Sequence, residues 1–276
     1  MMNKEGGNIF RPTIVKSIIS LSNMIREMLN KNLELSRITK TACLLIDSGL
    51  SLRNIPESLI ERCVNEQRED GGWVAVPDTI WNTYLLQQYN KHEHERIISS
   101  AKQYILNQKS VTGLWGRSKR DMSRIPVTGT LFSIFPDLAT YDGLVLLEDL
   151  WFSEIDSISY KAGYTLMAFG HNSYVPKRED IIKRTVEWLV QNQRSDGGFA
   201  PWLNHPVSSD IFCTSIAILG LIKYMNLVNK DIFIKALEWI ETTQLKEGIW
   251  RFHEIEDGAS WGVRALVELN SILGNK

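Results

Sequence analysis

Cysteine is scarce in this chain: Cys43, Cys63 and Cys213 are the only three in 276 residues, and no two form a Cys-x-x-Cys pair. That excludes a disulfide framework and a cysteine-rich zinc site, and it fits a reducing compartment, the cytoplasm. An excess of either charge is also missing. Lys plus Arg number 31 against 32 Asp plus Glu, so no general basic surface is available for nucleic acid. Long apolar runs are absent. The longest, such as Ile216 to Ile222, reach about a third of the ~20 residues that cross a bilayer, so a soluble or membrane-peripheral protein is expected. Met1 to Arg11 carry charges and glycines without the continuous apolar core of a secretory signal. No stretch rich in Pro, Gly and Ser divides the chain, so residues 1–276 are expected to form one domain, with 1–12 irregular. Sustained period-two alternation is lacking as well, which argues against a sheet.

What is present is a repeat in the turns. Four segments share one plan: Gln67 to Trp73, Gln108 to Trp115, Gln193 to Phe199 and Gln244 to Trp250, each a glutamine followed by one or two glycines and an aromatic. The glutamines are 41, 85 and 51 residues apart. The middle gap is about two periods, which predicts a degenerate unit near Leu147 to Ile155 that keeps Trp151 without a glutamine. Each mark closes an amphipathic stretch, as in Ile181 to Gln193 and Phe233 to Gln244, where apolar residues recur at helical spacing. The glycines then supply left-handed backbone for a helix C-terminus.

A second, more apolar helix follows each turn. Asp78, Asp156, Asp210 and Asp257 stand where such helices open, and each is read as an N-cap accepting free backbone N–H groups. Between Gly116 and Asp142, Pro126, Gly129 and Pro136 interrupt the periodicity, so a long loop or broken helices are expected there. Amphipathic helices alternating with helices apolar nearly all round imply two concentric layers. The fold class is therefore all-α, an α/α toroid of about five to six helical hairpins.

The glutamine-glycine-tryptophan marks, with Tyr104, Trp188 and Trp239 upstream, resemble the QW repeats of squalene-hopene and oxidosqualene cyclases and class II diterpene cyclases. More loosely they resemble protein prenyltransferase β subunits. The likeness spans Pro56 to Asn270. It implies that the glutamine hydrogen-bonds within the turn while the tryptophan stacks on its neighbour, tying successive hairpins together. It also implies isoprenoid chemistry. In class II cyclases the middle acid of an Asp-x-Asp-Asp-Thr-Ala motif protonates an alkene or epoxide. The segment from Asp210 to Ser215 keeps the first aspartate and the threonine, with Phe212 and Cys213 in place of the other two acids. A prenyltransferase would need a zinc-binding Asp-x-Cys and a later histidine. Here Asp210 and Cys213 have two residues between them, and Ser260 and Trp261 stand where the histidine would be, so no metal site is expected. No Asp-Asp-x-x-Asp cluster for magnesium occurs, and no cofactor is expected beyond Mg²⁺ accompanying a diphosphate substrate.

The candidate acid is Asp210, either a plain helix cap or a carboxylic acid kept protonated by an apolar cavity. Arg117, Lys119, Arg120 and Arg124 form the densest basic run, read either as a clamp for a diphosphate or as a solvated loop. Trp81, Tyr84, Tyr160, Tyr164, Phe212 and Trp261 are candidates for a wall that stabilises a carbocation, or for ordinary core. His92 and His94 read as solvent-facing, and Glu256-Asp257 as a fallback acid pair. The expected ligand is an isoprenoid or another hydrophobic small molecule. The alternatives are a non-catalytic toroid binding a lipid, peptide or protein, and a carbohydrate-acting barrel using the four aspartates.

Overall fold

The computed structural model describes residues 11–274. Twelve α-helices form six hairpins: α1 (Pro12–Asn30) with α2 (Leu35–Asp47), α3 (Glu57–Asn65) with α4 (Val76–Asn90), α5 (Glu95–Asn107) with α6 (Ile125–Ile134), α7 (Tyr141–Ser153) with α8 (Ser159–His171), α9 (Ile181–Asn192) with α10 (Ile211–Ile222), and α11 (Lys230–Thr243) with α12 (Ile255–Gly274). The even-numbered helices pack side by side in chain order, and α12 returns to α2, closing an inner ring. The odd-numbered helices surround it. No strand occurs among the described residues. The chain is an α/α toroid, with the hairpin beginning at α1 completing the set of six. Of the expected irregular segment 1–12, residues 1–10 lie outside the described residues, and Pro12 already opens α1.

The turn marks are the joints of this ring. Gly71, Gly113, Gly197 and Gly248 all have positive φ, between 83° and 91°, where a Cβ is strained. Gln67 Nε2 donates to Gly71 O at 2.8 Å and to Ile97 O of α5 at 3.0 Å. Gln193 repeats the pair with Gly197 O and Ile232 O of α11 at 2.9 and 2.8 Å. Gln244 reaches Thr13 O and Ser17 Oγ of α1 at 3.0 and 2.7 Å. That contact joins the last hairpin to the first. The glutamine therefore does the tying. Each tryptophan turns its indole N–H back to its own preceding helix: Trp73, Trp115 and Trp250 donate to the carbonyls of Cys63, Ile105 and Ile240 at 3.1, 2.6 and 2.8 Å. Gln108 departs from the pattern, its Oε1 accepting from Lys119 N at 3.2 Å.

Gly197 shows how little room the joint has. A Cβ there would lie 2.4 Å from Lys235 O, on top of the unfavourable φ of +91°. Gly197→Ala is expected to destabilise the fold by about 2–3 kcal/mol, read as a lower midpoint in urea unfolding. An unchanged midpoint would refute this account of the joint.

Three sequence expectations are corrected. Residues 125–134 form a regular helix, α6, with Pro126 in its first turn; Gly129 is small because a Cβ there would meet Tyr164 O of α8 at 2.9 Å. Trp151 is not a turn residue. It lies inside α7 and donates its indole N–H to Thr185 Oγ1 of α9 at 2.8 Å. Only Asp210 among the four aspartates has the capping geometry, accepting Cys213 N at 2.7 Å. Asp78 and Asp257 stand inside the first turns of α4 and α12, where a negative charge still meets the helix N-terminus favourably. Asp156 is in the turn before α8, at φ 63°, with Arg184 at 2.5 Å.

Candidate active site

The turn marks stand at the end of the ring where the inner helices begin. There, between the starts of α8, α10 and α12, lies a cleft of about 1070 Å³. Tyr160, Phe212 and Phe252 line its apolar side, Asp210 and Asp257 are its carboxylates, and Arg251, His205 and His253 are its basic groups. Phe252 stacks on Phe212 with ring centres 5.5 Å apart.

From this floor a run of touching rings passes into the barrel. Phe212 meets Tyr160 at 5.7 Å and Tyr164 at 6.4 Å, Tyr164 meets Trp261 at 6.0 Å, Trp261 meets Trp81 at 6.1 Å, and Trp81 meets Tyr84 at 6.5 Å. All six aromatic candidates belong to this one run. They come together because inner helices present successive faces to the axis, so residues from α4, α8, α10 and α12 converge although they are far apart in sequence. Trp81 and Trp261 also line a funnel of about 140 Å³ formed by the far halves of the inner helices. Tyr164, buried between cleft and funnel, joins the two groups.

The Lys40 ammonium of α2 already occupies a cation position, 5.8 Å from the Trp81 ring and 5.9 Å from that of Trp261. It is held by Asp257 Oδ1 at 2.5 Å. Asp257 is thus half of an ion pair, and its neighbour Glu256 pairs with Arg37. Nothing in the turn marks announces Lys40. Its signal is a lone lysine within the apolar run from Ile38 to Ile46.

Asp210 sits on the lip of the cleft, with Oδ1 committed to the Cys213 N–H. The retained threonine has a plain structural duty: Thr214 Oγ1 accepts Phe199 N at 2.9 Å, as Thr79 and Thr128 accept Trp73 N and Trp115 N, both at 3.1 Å. By that register Asp78 corresponds to Cys213 and Ala75 to Asp210. Asp78 is buried, and burial pushes its carboxyl above the usual range, with the Ser36 hydroxyl and Arg117 opposing.

Asp47 was not singled out from sequence, and it stands at the other end of the ring run. It lines the funnel and accepts from Tyr84 Oη at 3.0 Å and Gln88 Nε2 at 2.6 Å. Burial pushes its carboxyl up against the opposing pull of Arg264, Tyr84 and Gln88. The last residue of α2, it also faces the negative end of the helix dipole.

The basic run stands apart from this geometry. Arg117, Lys119, Arg120 and Arg124 are exposed and none of them lines the cleft. Arg124 Nε and Nη2 bind Asp121 at 2.8 and 3.2 Å, holding that carboxyl down at about 2. Of the two expected solvent-facing histidines, His92 is exposed and His94 is buried.

Neither a family model nor a curated protein sequence matches the chain. Among solved structures it is similar to the type II terpene cyclase MstE from Scytonema. A variant in complex with geranylgeranyl dihydroxybenzoate superposes with a TM-score of 0.66 at 12% identity, over 95% of this chain and 99% of that one. The apo enzyme gives 0.63 at 12%, over 96% and 99%. ent-Copalyl diphosphate synthase from Streptomyces platensis gives 0.58 at 12%, over 87% of this chain but 50% of the other. The chain therefore has the fold of class II terpene cyclases, here as one ring of hairpins.

Proposed function

We propose that this protein is a terpene cyclase-like enzyme that takes an isoprenoid into the cleft between α8, α10 and α12 and cyclises or rearranges it through a carbocation. The observation that carries the reading is the unbroken ring run from Phe252 and Phe212 to Trp81 and Tyr84, with a carboxyl group on the lip of the cleft where it begins. Ring faces attract a delocalised cation without offering it a nucleophile.

In this reading Asp210 is the proton donor. The oxygen not used by the cap gives its proton to a terminal alkene carbon, leaving a tertiary cation beside Phe212. Attack by the next alkene forms the ring bond, and loss of a proton from carbon to water or to a carboxylate regenerates an alkene. The overall change is an isomerisation and needs no cofactor. A diphosphate substrate would bring Mg²⁺ with it.

A second reading, a non-catalytic toroid binding a lipid, peptide or protein, is favoured by two observations. Phe212 and Cys213 stand where the resembling cyclases carry acids, and Lys40 already fills a cation position over Trp81 and Trp261.

Incubation with geranyl, farnesyl and geranylgeranyl diphosphates and squalene, with and without Mg²⁺, separates the readings. Gas chromatography with mass spectrometry is expected to detect a cyclised or rearranged product from at least one of them. Quenching of tryptophan fluorescence without product would favour the second reading, and neither product nor quenching would refute isoprenoid binding.

A further inference from the structure

The funnel lies toward the C-terminal ends of the inner helices, and at about 140 Å³ it is smaller than the roughly 300 Å³ at which pockets for drug-sized ligands begin. It suits a molecule of amino-acid size. Charged and titratable side chains of both signs line it: Asp47, His171, Lys223, Arg264 and Glu268.

Three of these are settled within the chain. Arg264 Nη2 meets Glu268 of the same helix at 2.7 Å, and Arg264 Nη1 donates to the Asp47 carbonyl. His171 is tied through Nδ1 to Met167 O at 2.8 Å, and desolvation and the neighbouring Lys223 hold it below the usual histidine range, so it adds no charge at neutral pH. Asp47 and Lys223 remain. The Asp47 carboxylate accepts from Tyr84 and Gln88 but pairs with no cation, and the Lys223 ammonium has neither a hydrogen-bond nor an ion-pair partner among the described residues.

These two charges stand across the ring from each other. The inner helices follow one another around the axis in chain order, so α2 and α4 face α8 and α10. Asp47 ends α2 and takes its partners from α4, whereas Lys223 caps the end of α10. A lysine there complements the helix dipole, but a carboxylate at a helix C-terminus opposes it. Desolvation disfavours both charges, raising the Asp47 carboxyl and lowering the Lys223 ammonium. On α12, between α10 and α2, lies a further unused group. Trp261 lines the funnel at 6% exposure, and its indole N–H has no hydrogen-bond partner, a costly state for a buried donor. Leu44, Trp81, Met167 and Leu219 make the rest of the wall apolar.

We propose that the funnel binds a small zwitterion, an α-amino acid with an apolar side chain: Asp47 receives its ammonium, Lys223 and the Trp261 N–H its carboxylate, and the apolar wall its side chain. One ligand then gives each of the three unused groups a partner. Being neutral overall, it leaves the charge balance of the funnel unchanged, and its ammonium meets the C-terminal end of the α2 dipole favourably. A prenyl chain satisfies none of these groups. The site is separate from the cleft at the other end of the ring and does not depend on turnover there.

Isothermal titration calorimetry of the full chain with leucine, methionine and phenylalanine tests the assignment. At least one is expected to bind saturably. Isocaproate and isoamylamine, which are leucine without its ammonium and without its carboxylate, should bind at least about tenfold more weakly than the amino acid. Lys223→Met should weaken amino-acid binding by about tenfold or more while the thermal midpoint of the free chain stays in place, and Asp47→Asn should weaken it to a similar degree. No saturable binding of any of the three amino acids overturns the proposal, as does equal binding by Lys223→Met and the unmodified chain. Isoamylamine binding as tightly as the amino acids overturns it too, because the funnel would then be a site for cations alone.

Discussion

Asp210→Asn is expected to abolish product formation and leave the fold intact, whereas Asp210→Ala should lose activity and stability together. The two roles open to this residue respond differently to the two changes. As a helix N-cap it needs only an oxygen that accepts Cys213 N, now at 2.7 Å, and asparagine caps as well as aspartate does. As a proton donor it needs an ionisable O–H, which asparagine lacks. A lost general acid lowers the rate by about 10²–10⁴-fold, and a lost cap costs about 1 kcal/mol. The pair of variants, assayed by product formation and by thermal unfolding, therefore separates chemistry from capping. Full activity in Asp210→Asn would refute the assignment. Loss of activity in Asp47→Asn instead would move the acid to the funnel, where burial already holds the Asp47 carboxyl above its ordinary range.

The architecture was legible because it is repeated. Gln67, Gln193 and Gln244 stand in the same local context, and each makes the same pair of reaches, to its own turn and to the next outer helix. A short motif can therefore specify much of a large ring: what it encodes is a joint, and three of the six hairpins share it. The aromatic wall was legible for a related reason. Trp81, Phe212 and Trp261 fall in the first two turns of the inner helices α4, α10 and α12, and in a closed inner ring such positions converge on the axis.

Features created by closure itself stayed hidden. The Lys40 to Asp257 pair joins α2 to α12, the two helices that meet only when the last hairpin returns to the first. Asp47 becomes unusual through burial, with its partners Tyr84 and Gln88 contributed by a different hairpin. The aspartate at each inner helix misled for a different reason. Register is set by the threonine that accepts the turn aromatic's N–H, and measured from Thr79 and Thr214 the residues Asp78 and Asp210 differ by three positions. The electrostatic preference of a helix N-terminus for a carboxylate is satisfied anywhere in its first turn, so composition alone does not locate the cap.

The α7–α8 hairpin has no turn mark and must be fastened by other means, and Glu148 is expected to be its most sensitive point. Without a glutamine after α7, the tie to the next outer helix comes from two residues one helical turn apart: Trp151, bonded to Thr185, and Glu148, which is 0% exposed. The Glu148 carboxylate accepts from Tyr174 Oη at 2.7 Å, from Lys177 N and Arg178 N at 2.9 Å, and from Arg178 Nη1 at 3.0 Å. It thereby pins the α8–α9 connection onto α7. Glu148→Ala should cost about 2–4 kcal/mol, because it strands the Tyr174 hydroxyl and the Lys177 and Arg178 backbone N–H groups, while the Arg178 guanidinium keeps Asp149 at 2.8 Å. Glu148→Gln should recover only part of this, since its amide would turn N–H groups toward donors. Burial alone would raise this carboxyl, but the hydrogen bonds from Tyr174, Lys177 and Arg178 outweigh it and leave it below the ordinary glutamate range. A depressed folded value contributes stability above the unfolded value of about 4.3 and loses it as pH falls through the folded one. Urea midpoints of the unmodified chain and Glu148→Gln should therefore differ by a constant amount from neutral pH down to about 5 and converge below it. A gap that persists undiminished in acid would mean that the carboxylate charge contributes nothing and that packing alone holds the joint.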